Sequence, residues 1–463
     1  MADNGKRTEP LSSVDTAWLR MEDPTNLMMI TGVLVFDRPV SLEALRQVVE
    51  QRLLKFRRFR QRVARPALGL GPPFWEDDPH FDLNAHLHRI ALPAPGDQAT
   101  LQELVSDLMS TPLDFSKSPW QYHLIENYGS GSVLLARLHH CVADGIALVN
   151  LLLSMTDTRP EVPASSNGTG GVRHERDPIS NLLRQSNAVL DNTRRATNGM
   201  LSNPAQALGF ARQGAGLAGT LGKLALMNAD PQTALKGRLG VAKRAAWSAP
   251  IPLAHVKQVG RMIGGTINDV LLTATTGALR RYLQGRGERV DGMDIRAVVP
   301  VNLRPLNGPI ELGNRFGLVF LPLPVGIEDL FERLHELKRR MDEIKNSPEA
   351  LVAFGILNAM GIATDAVQDL IVSVFASKAT GVMTNVPGPR ETIYLAGSPI
   401  REIMFWVPQS GRLGLGVSIL SYAGNVTLGI ATDAGLAPDP ETIIANFNAE
   451  FAHMHELAEM VQA

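Results

Sequence analysis

The 463-residue chain has one cysteine, Cys141, so it can form no intramolecular disulfide and suits a reducing compartment. It has no charge excess. With 45 basic and 46 acidic side chains the formal net charge is −1, which argues against a global attraction to nucleic acid. No uninterrupted apolar run reaches bilayer-spanning length, which points to a soluble or peripheral protein. The opening Met1-Ala-Asp-Asn-Gly-Lys-Arg-Thr-Glu9 is polar and carries no apolar signal-peptide core.

Several reactive patterns are also missing. A serine-hydrolase elbow would read Gly-x-Ser-x-Gly; Asn127-Tyr-Gly-Ser-Gly131 comes closest and lacks the spacing and the following helix. The Gly-rich stretch from Gly216 to Lys223 suggests a phosphate loop, but no Ser or Thr follows Lys223. His86 and His88 lie two apart on an expected strand with no further ligand pattern, so they read as structural and no metal site is expected. His453 and His455, in the last helix, read as surface residues. Cys141 adjoins His140 but lacks a third group that would orient a thiol nucleophile.

What is present is a globular composition, 44% hydrophobic, in a chain too long for one ordinary core. Apolar runs with strand length alternate with helical periodicity in both halves, giving an α/β class with mixed sheets in two domains. An N-terminal domain is expected over 1–155, a linker and helical connector over 156–243, and a C-terminal domain over 244–463. The connector opens with the Pro/Gly/Ser-rich stretch from Thr158 to Gly171. It continues through a helical pattern broken near Asn203-Pro204, and its Gly- and Ala-rich part, Ala205 to Met227, is a candidate lipid-surface contact. Arg57, Arg58, Arg60, Arg62 and Arg65 form a basic cluster that is either a solvated edge or a phosphate-docking patch.

The chemistry-bearing stretch is Leu138-His-His-Cys-Val-Ala-Asp-Gly145. An apolar run from Ser132 to Leu138 reads as a buried strand, and Ile146 to Leu153 as a helix with Asp144 at its N-cap. Two imidazoles therefore sit at a strand-to-helix turn. A neutral imidazole can take up and return a proton near pH 7, so one of them is a candidate general base. The residues alone do not choose between His139 and His140.

With these residues in view, the chain resembles the bacterial wax ester synthase/diacylglycerol acyltransferase family. That family is a branch of the coenzyme A-dependent acyltransferases that include chloramphenicol acetyltransferase and the nonribosomal condensation domains. His139-His140-x-x-x-Asp144-Gly145 is similar to the superfamily motif, and further blocks carry the narrower likeness. These are Leu11-Ser-Ser-Val-Asp15, Leu113 to Glu126, Asn268-Asp269, Pro300 to Arg304, Asn385-Val-Pro-Gly-Pro389, and Leu420 to Asn425 with Gly429. One departure is visible: the family usually has Pro-Leu-Trp, whereas Ser118-Pro119-Trp120 moves the proline one place and keeps Trp120 in register.

The resemblance implies two chloramphenicol acetyltransferase-like domains with an active-site tunnel between them. It implies His140 as general base, with His139 as its neighbour of open role, and Asp144 as a structural brace paired with an arginine, for which Arg304 is the candidate. Gly145 would let substrate or a neighbouring strand approach closely. Asn268, Asp269, Arg304 and Trp120 would bind substrate or support the site, and Asn268 or a backbone amide could serve the oxyanion. The implied reaction moves a long-chain acyl group from acyl-coenzyme A to a fatty alcohol or a diacylglycerol. A thioester is already activated, so acyl-coenzyme A is a co-substrate and no metal or prosthetic group is needed. The insoluble products imply cytoplasmic work at a membrane or lipid-droplet surface. Two alternatives remain: transfer from a carrier-protein thioester to an alcohol or amine, and lipid binding without turnover.

Overall fold

The computed structural model describes residues 8–66, 71–160, 227–262, 264–303, 312–345, 357–358, 360–361, 365–409 and 411–462. Residues 161–226 of the expected linker and connector, which include the Ala205–Met227 segment short of Met227 itself, and Arg304 lie outside the described residues.

Two large mixed sheets organise the described residues. The first has the order β13 (Tyr394–Leu395), β14 (Ser398–Trp406), β2 (Met29–Phe36), β7 (Gly131–His139), β6 (Trp120–Tyr128) and β5 (Leu87–Ala91). Only β5 and β6 run parallel in it. The second has the order β11 (Phe316–Leu323), β10 (Ile295–Asn302), β12 (Gly381–Pro387), β15 (Leu415–Tyr422), β16 (Asn425–Asp433) and β8 (Lys243–Trp247). Here β12 is parallel to both neighbours, and β9 (Ile251–Pro252) adds to β16. A small antiparallel sheet joins β1 (Glu9–Pro10), β4 (Phe74–Asp77) and β3 (Gln61–Ala64). The α/β class with mixed sheets follows directly.

Local sequence explains the main elements. Ser12 caps α1 (Ser13–Arg20), its hydroxyl accepting from the Asp15 N–H at 3.0 Å. Ser41 caps α2 (Leu42–Val48), which runs on into a π-helical turn over Val49–Leu53. α3 (Gln98–Met109) and α4 (Gly145–Met155) follow in the first half. In the second half, α5 (Leu253–Met262) precedes α6 (Ile267–Gly285), which is buried along most of its length. A reciprocal capping box between Thr266 and Asp269 starts α6, and the hydroxyls of Thr273, Thr275 and Thr276 bond back to the preceding turn, so none is orphaned in the core. α7 (Leu330–Lys345), α8 (Asp365–Ser377) and α9 (Pro440–Gln462) follow. The hairpin of β15 and β16 closes through Ala423 and Gly424, both at positive φ, as a two-residue turn requires.

The two halves of the chain are not separate bodies. β14, from the C-terminal segment, pairs with β2 and extends the first sheet. Its Met404 and Trp406 join Val33, Leu135, Leu101, Trp247 and Ala431 in a core shared by both sheets. The hydroxyls of Ser106 in α3 and of its C-cap Ser110 accept from the N–H groups of Ala245 and Lys243, satisfying part of one edge of the second sheet. A relative shift of the halves would expose both this apolar seam and that strand edge. Among the described residues, no helix is long and apolar enough to cross a membrane.

Candidate active site

β7 carries the two histidines to the seam. Its start needs glycine, because a Cβ at Gly131 would lie 1.9 Å from the Phe36 carbonyl oxygen. Met29 pairs with His139, and the His140 N–H donates to the Met28 carbonyl at 2.7 Å, so the sheet fixes the backbone of both. The chain then turns through Cys141, Val142 and Ala143 into α4. Asp144 is the N-cap, its Oδ1 accepting from the Ala147 N–H at 2.9 Å.

A strap from the other half, Gly313-Asn314-Arg315, grips this turn just before β11. The Gly313 N–H donates to Val142, the Asp144 N–H donates to Gly313, and the Arg315 N–H donates to Asp144 Oδ2 at 2.9 Å. Asn314 Nδ2 donates both to the His140 carbonyl and to Asp15 Oδ1, each at 2.7 Å. Asp15 is buried, and that burial raises its carboxyl pKa while Asn314 works the other way.

The imidazole of His140 lies face to face with the indole of Trp18, with ring centroids 4.0 Å apart and an interplanar angle of 15°. Phe316 tilts against both rings. Burial pushes the His140 pKa down to about 4; the Asp144 carboxylate opposes this and His139 adds to it. The ring is therefore neutral near pH 7 and able to accept a proton. His139 points elsewhere. Its Nδ1 accepts from the Cys141 N–H at 3.1 Å, which leaves the proton on Nε2, 3.4 Å from Glu22 Oε2. Phe115 meets its ring edge-on.

The other sequence candidates separate. Asp269 belongs to the α6 cap, and Asn268 Oδ1 accepts from Asn385 Nδ2 at 2.8 Å, joining two motif blocks. Trp120 is fully buried, donates from Nε1 to the Phe59 carbonyl and stacks on His86 at 4.6 Å, so its place is in the core. Among the described residues a Cβ at Gly145 would meet nothing within 4 Å, so no described strand requires this glycine, contrary to that half of the expectation. Cys141 is buried and its thiol pKa is raised by that burial, which disfavours a thiolate.

The arginine cluster and the four remaining candidate histidines also take definite places. The basic cluster is largely neutralised in place: Arg57 pairs with Asp77, Arg58 with Glu9, and Arg62 with Glu76. His86 precedes β5 rather than sharing a strand face with His88, which stacks on His123. His455 is half-buried and stacks on His255 at 4.4 Å, whereas His453 is exposed. Among the described residues no group of three or more His, Cys, Asp or Glu side chains could hold a metal ion.

Trp18, Glu22, Asn314 and Phe316 were not singled out from the sequence. Asp15 and Trp18 belong to the opening block and its helix, and Asn314 lies just before β11, but nothing local shows that they meet at residue 140.

Comparison with known proteins agrees with this architecture. Residues 11–271 match the wax ester synthase/diacylglycerol acyltransferase catalytic domain, and residues 312–455 match the WS/DGAT C-terminal domain. A Mycobacterium tuberculosis protein named probable diacylglycerol O-acyltransferase tgs1 is 32% identical over 449 residues, covering 93% of this chain and 92% of its own. The solved wax ester synthase/diacylglycerol acyltransferase of Marinobacter aquaeolei VT8 superposes with a TM-score of 0.69 at 22% identity, covering 97% of this chain and 100% of the other. A variant starter condensation domain of rhizomide synthetase, solved with C8-CoA and Leu-SNAC, gives 0.57 at 15% identity over 98% of this chain and 94% of its own. The fold is thus that of two chloramphenicol acetyltransferase-like subdomains, and the chain belongs to the wax ester synthase/diacylglycerol acyltransferase family of acyltransferases.

Proposed function

We propose that the protein transfers a long-chain acyl group from acyl-coenzyme A to the free hydroxyl of a diacylglycerol, a fatty alcohol being the second acceptor, with His140 as general base. The observation that carries this is a neutral, buried imidazole whose backbone is held by both halves of the chain. The names of the relatives favour diacylglycerol, and the C8-CoA bound to a neighbour of the same fold favours a coenzyme A thioester over a carrier protein.

In the reaction, His140 takes the hydroxyl proton as the acceptor oxygen bonds to the thioester carbonyl carbon. The tetrahedral intermediate collapses, the carbon–sulfur bond breaks, and His140 returns the proton to the departing thiolate. Base catalysis of this kind contributes about 10²–10⁴-fold in rate. Asp144 and Asn314 hold the turn, and Trp18 and Phe316 exclude water from the ring. Acceptor and product are both insoluble, so the enzyme would work at a membrane or lipid-droplet surface, where Ala205–Met227 is the proposed contact. Liposome flotation tests that contact: a variant charged at Leu217 and Leu221 should float less than the parent, and equal flotation removes it.

The direct test of substrate class is thiol release from palmitoyl-coenzyme A with dioleoylglycerol or hexadecanol as acceptor. Acceptor-dependent release, faster with dioleoylglycerol, supports the proposal. Release only from a carrier-loaded donor, or none at all, contradicts it.

A further inference from the structure

Trp18 is 2% exposed, and its neighbours Val14, Asp15, Ala17 and Leu19 anchor α1 in the core. Its ring is thus rigidly placed, yet its Nε1 finds no hydrogen-bond partner among the described residues. A buried indole N–H normally does find one. The pose is therefore set by what the indole face touches, and that face lies 4.0 Å from the His140 imidazole and nearly parallel to it. Phe316, 5.7 Å from His140 and tilted by 52°, leaves Trp18 as the only ring stacked flat on the imidazole among the described residues.

We propose that Trp18 is a positioning residue for the reaction, holding the His140 ring in plane and stabilising it as it becomes an imidazolium. The inference rests on His140 being the base. A neutral imidazole gains little from the electron-rich indole face. A cation over that face gains cation–π attraction, and more so when desolvated. The contact therefore strengthens as the proton arrives, which lowers the barrier rather than tightening substrate binding. Among the described residues, Asp144 and His139 are the charged and titratable groups that act on His140 most, and Asn314 links it to Asp15. Asp144 has its oxygens on the backbone N–H groups of Ala147 and Arg315, so it gives a fixed field, whereas Trp18 gives direct contact.

The test is thiol release by the full chain with tryptophan at position 18 replaced, site-specifically, by mono-, di- and tetrafluorotryptophan. Fluorination drains the indole face while keeping its shape. The expected result is a stepwise fall in kcat, about 2- to 30-fold across the series, with KM for palmitoyl-coenzyme A and dioleoylglycerol changed less than about twofold. Trp18→Phe should fall within this range and Trp18→Leu below it. A flat kcat through the tetrafluoro form overturns the inference, as does a fall carried entirely in KM. His140→Ala is assayed alongside. If it keeps near-normal turnover, the base assignment itself fails; if it is inactive while the fluorinated series is flat, only the role of Trp18 fails.

Discussion

Asn314 donates a hydrogen bond to the carbonyl of His140 at 2.7 Å across 174 residues of sequence, and the same amide nitrogen also donates to Asp15. One side chain from the second half of the chain thus fixes the proposed base to the first helix. Asn314→Ala removes both bonds and leaves the buried Asp15 carboxyl without that donor. Such a loss costs roughly 2–4 kcal/mol of stability, measurable by urea denaturation. The rate should fall more than stability explains, with kcat reduced by about 10²-fold, since small misplacements of a catalytic group carry that penalty.

The pH dependence should lack the acid limb usual for histidine. With the His140 pKa pushed down to about 4 by burial, the ring stays neutral from pH 8 to below pH 6. The kcat/KM profile, which reports the free enzyme, should lose no activity to His140 protonation until pH approaches 4. A single ionisation near 6.5 in that profile would contradict the buried, neutral base.

His123 makes a separate prediction about stability. Burial lowers its pKa to about 3, and neither ring nitrogen finds a hydrogen-bond partner among the described residues. Between pH 6.5 and 3 the unfolded chain binds a proton there that the folded chain does not, so stability falls as pH falls through that window. At pH 5 the cost is about 2 kcal/mol for one such group. His123→Phe should therefore be more resistant to urea than the parent at pH 5, and the difference between pH 5 and pH 7.5 should shrink. Asp15 and Asp230, whose pKa values are raised by burial, act in the opposite sense and are untouched by this change.

Glu22 accepts the Met28 N–H and faces His139 Nε2. Met28 in turn accepts from the His140 N–H. Glu22→Ala should loosen this chain of contacts, costing roughly 1–3 kcal/mol and lowering kcat. Glu22→Gln keeps an acceptor for Met28 and should retain most of the stability. Thermal melts and thiol release on the two variants separate the lost bond from the lost charge.

Much of the scaffold was legible because it is local. The strand to His139, the Asp144 cap, the Thr266 box and the closing hairpin each follow from residues a few positions apart. The passage of β14 into the first sheet was not, because an edge strand of one half and a partner strand of the other carry the same apolar pattern. The site divides the same way. Two imidazoles at a strand end announce themselves, whereas Trp18 and Asn314 reach His140 only through tertiary packing. The arginine cluster left two readings open for a related reason: its carboxylate partners, Glu9, Glu76 and Asp77, lie on neighbouring strands of the small sheet.

The central claim is that His140 moves the proton. Thiol release from palmitoyl-coenzyme A with dioleoylglycerol, compared between the parent and His140→Ala at matched folded fraction, tests it most directly. The expected result is a loss of about 10²-fold or more with an unchanged melting profile in the His140→Ala protein. Turnover within a few-fold of the parent would contradict it.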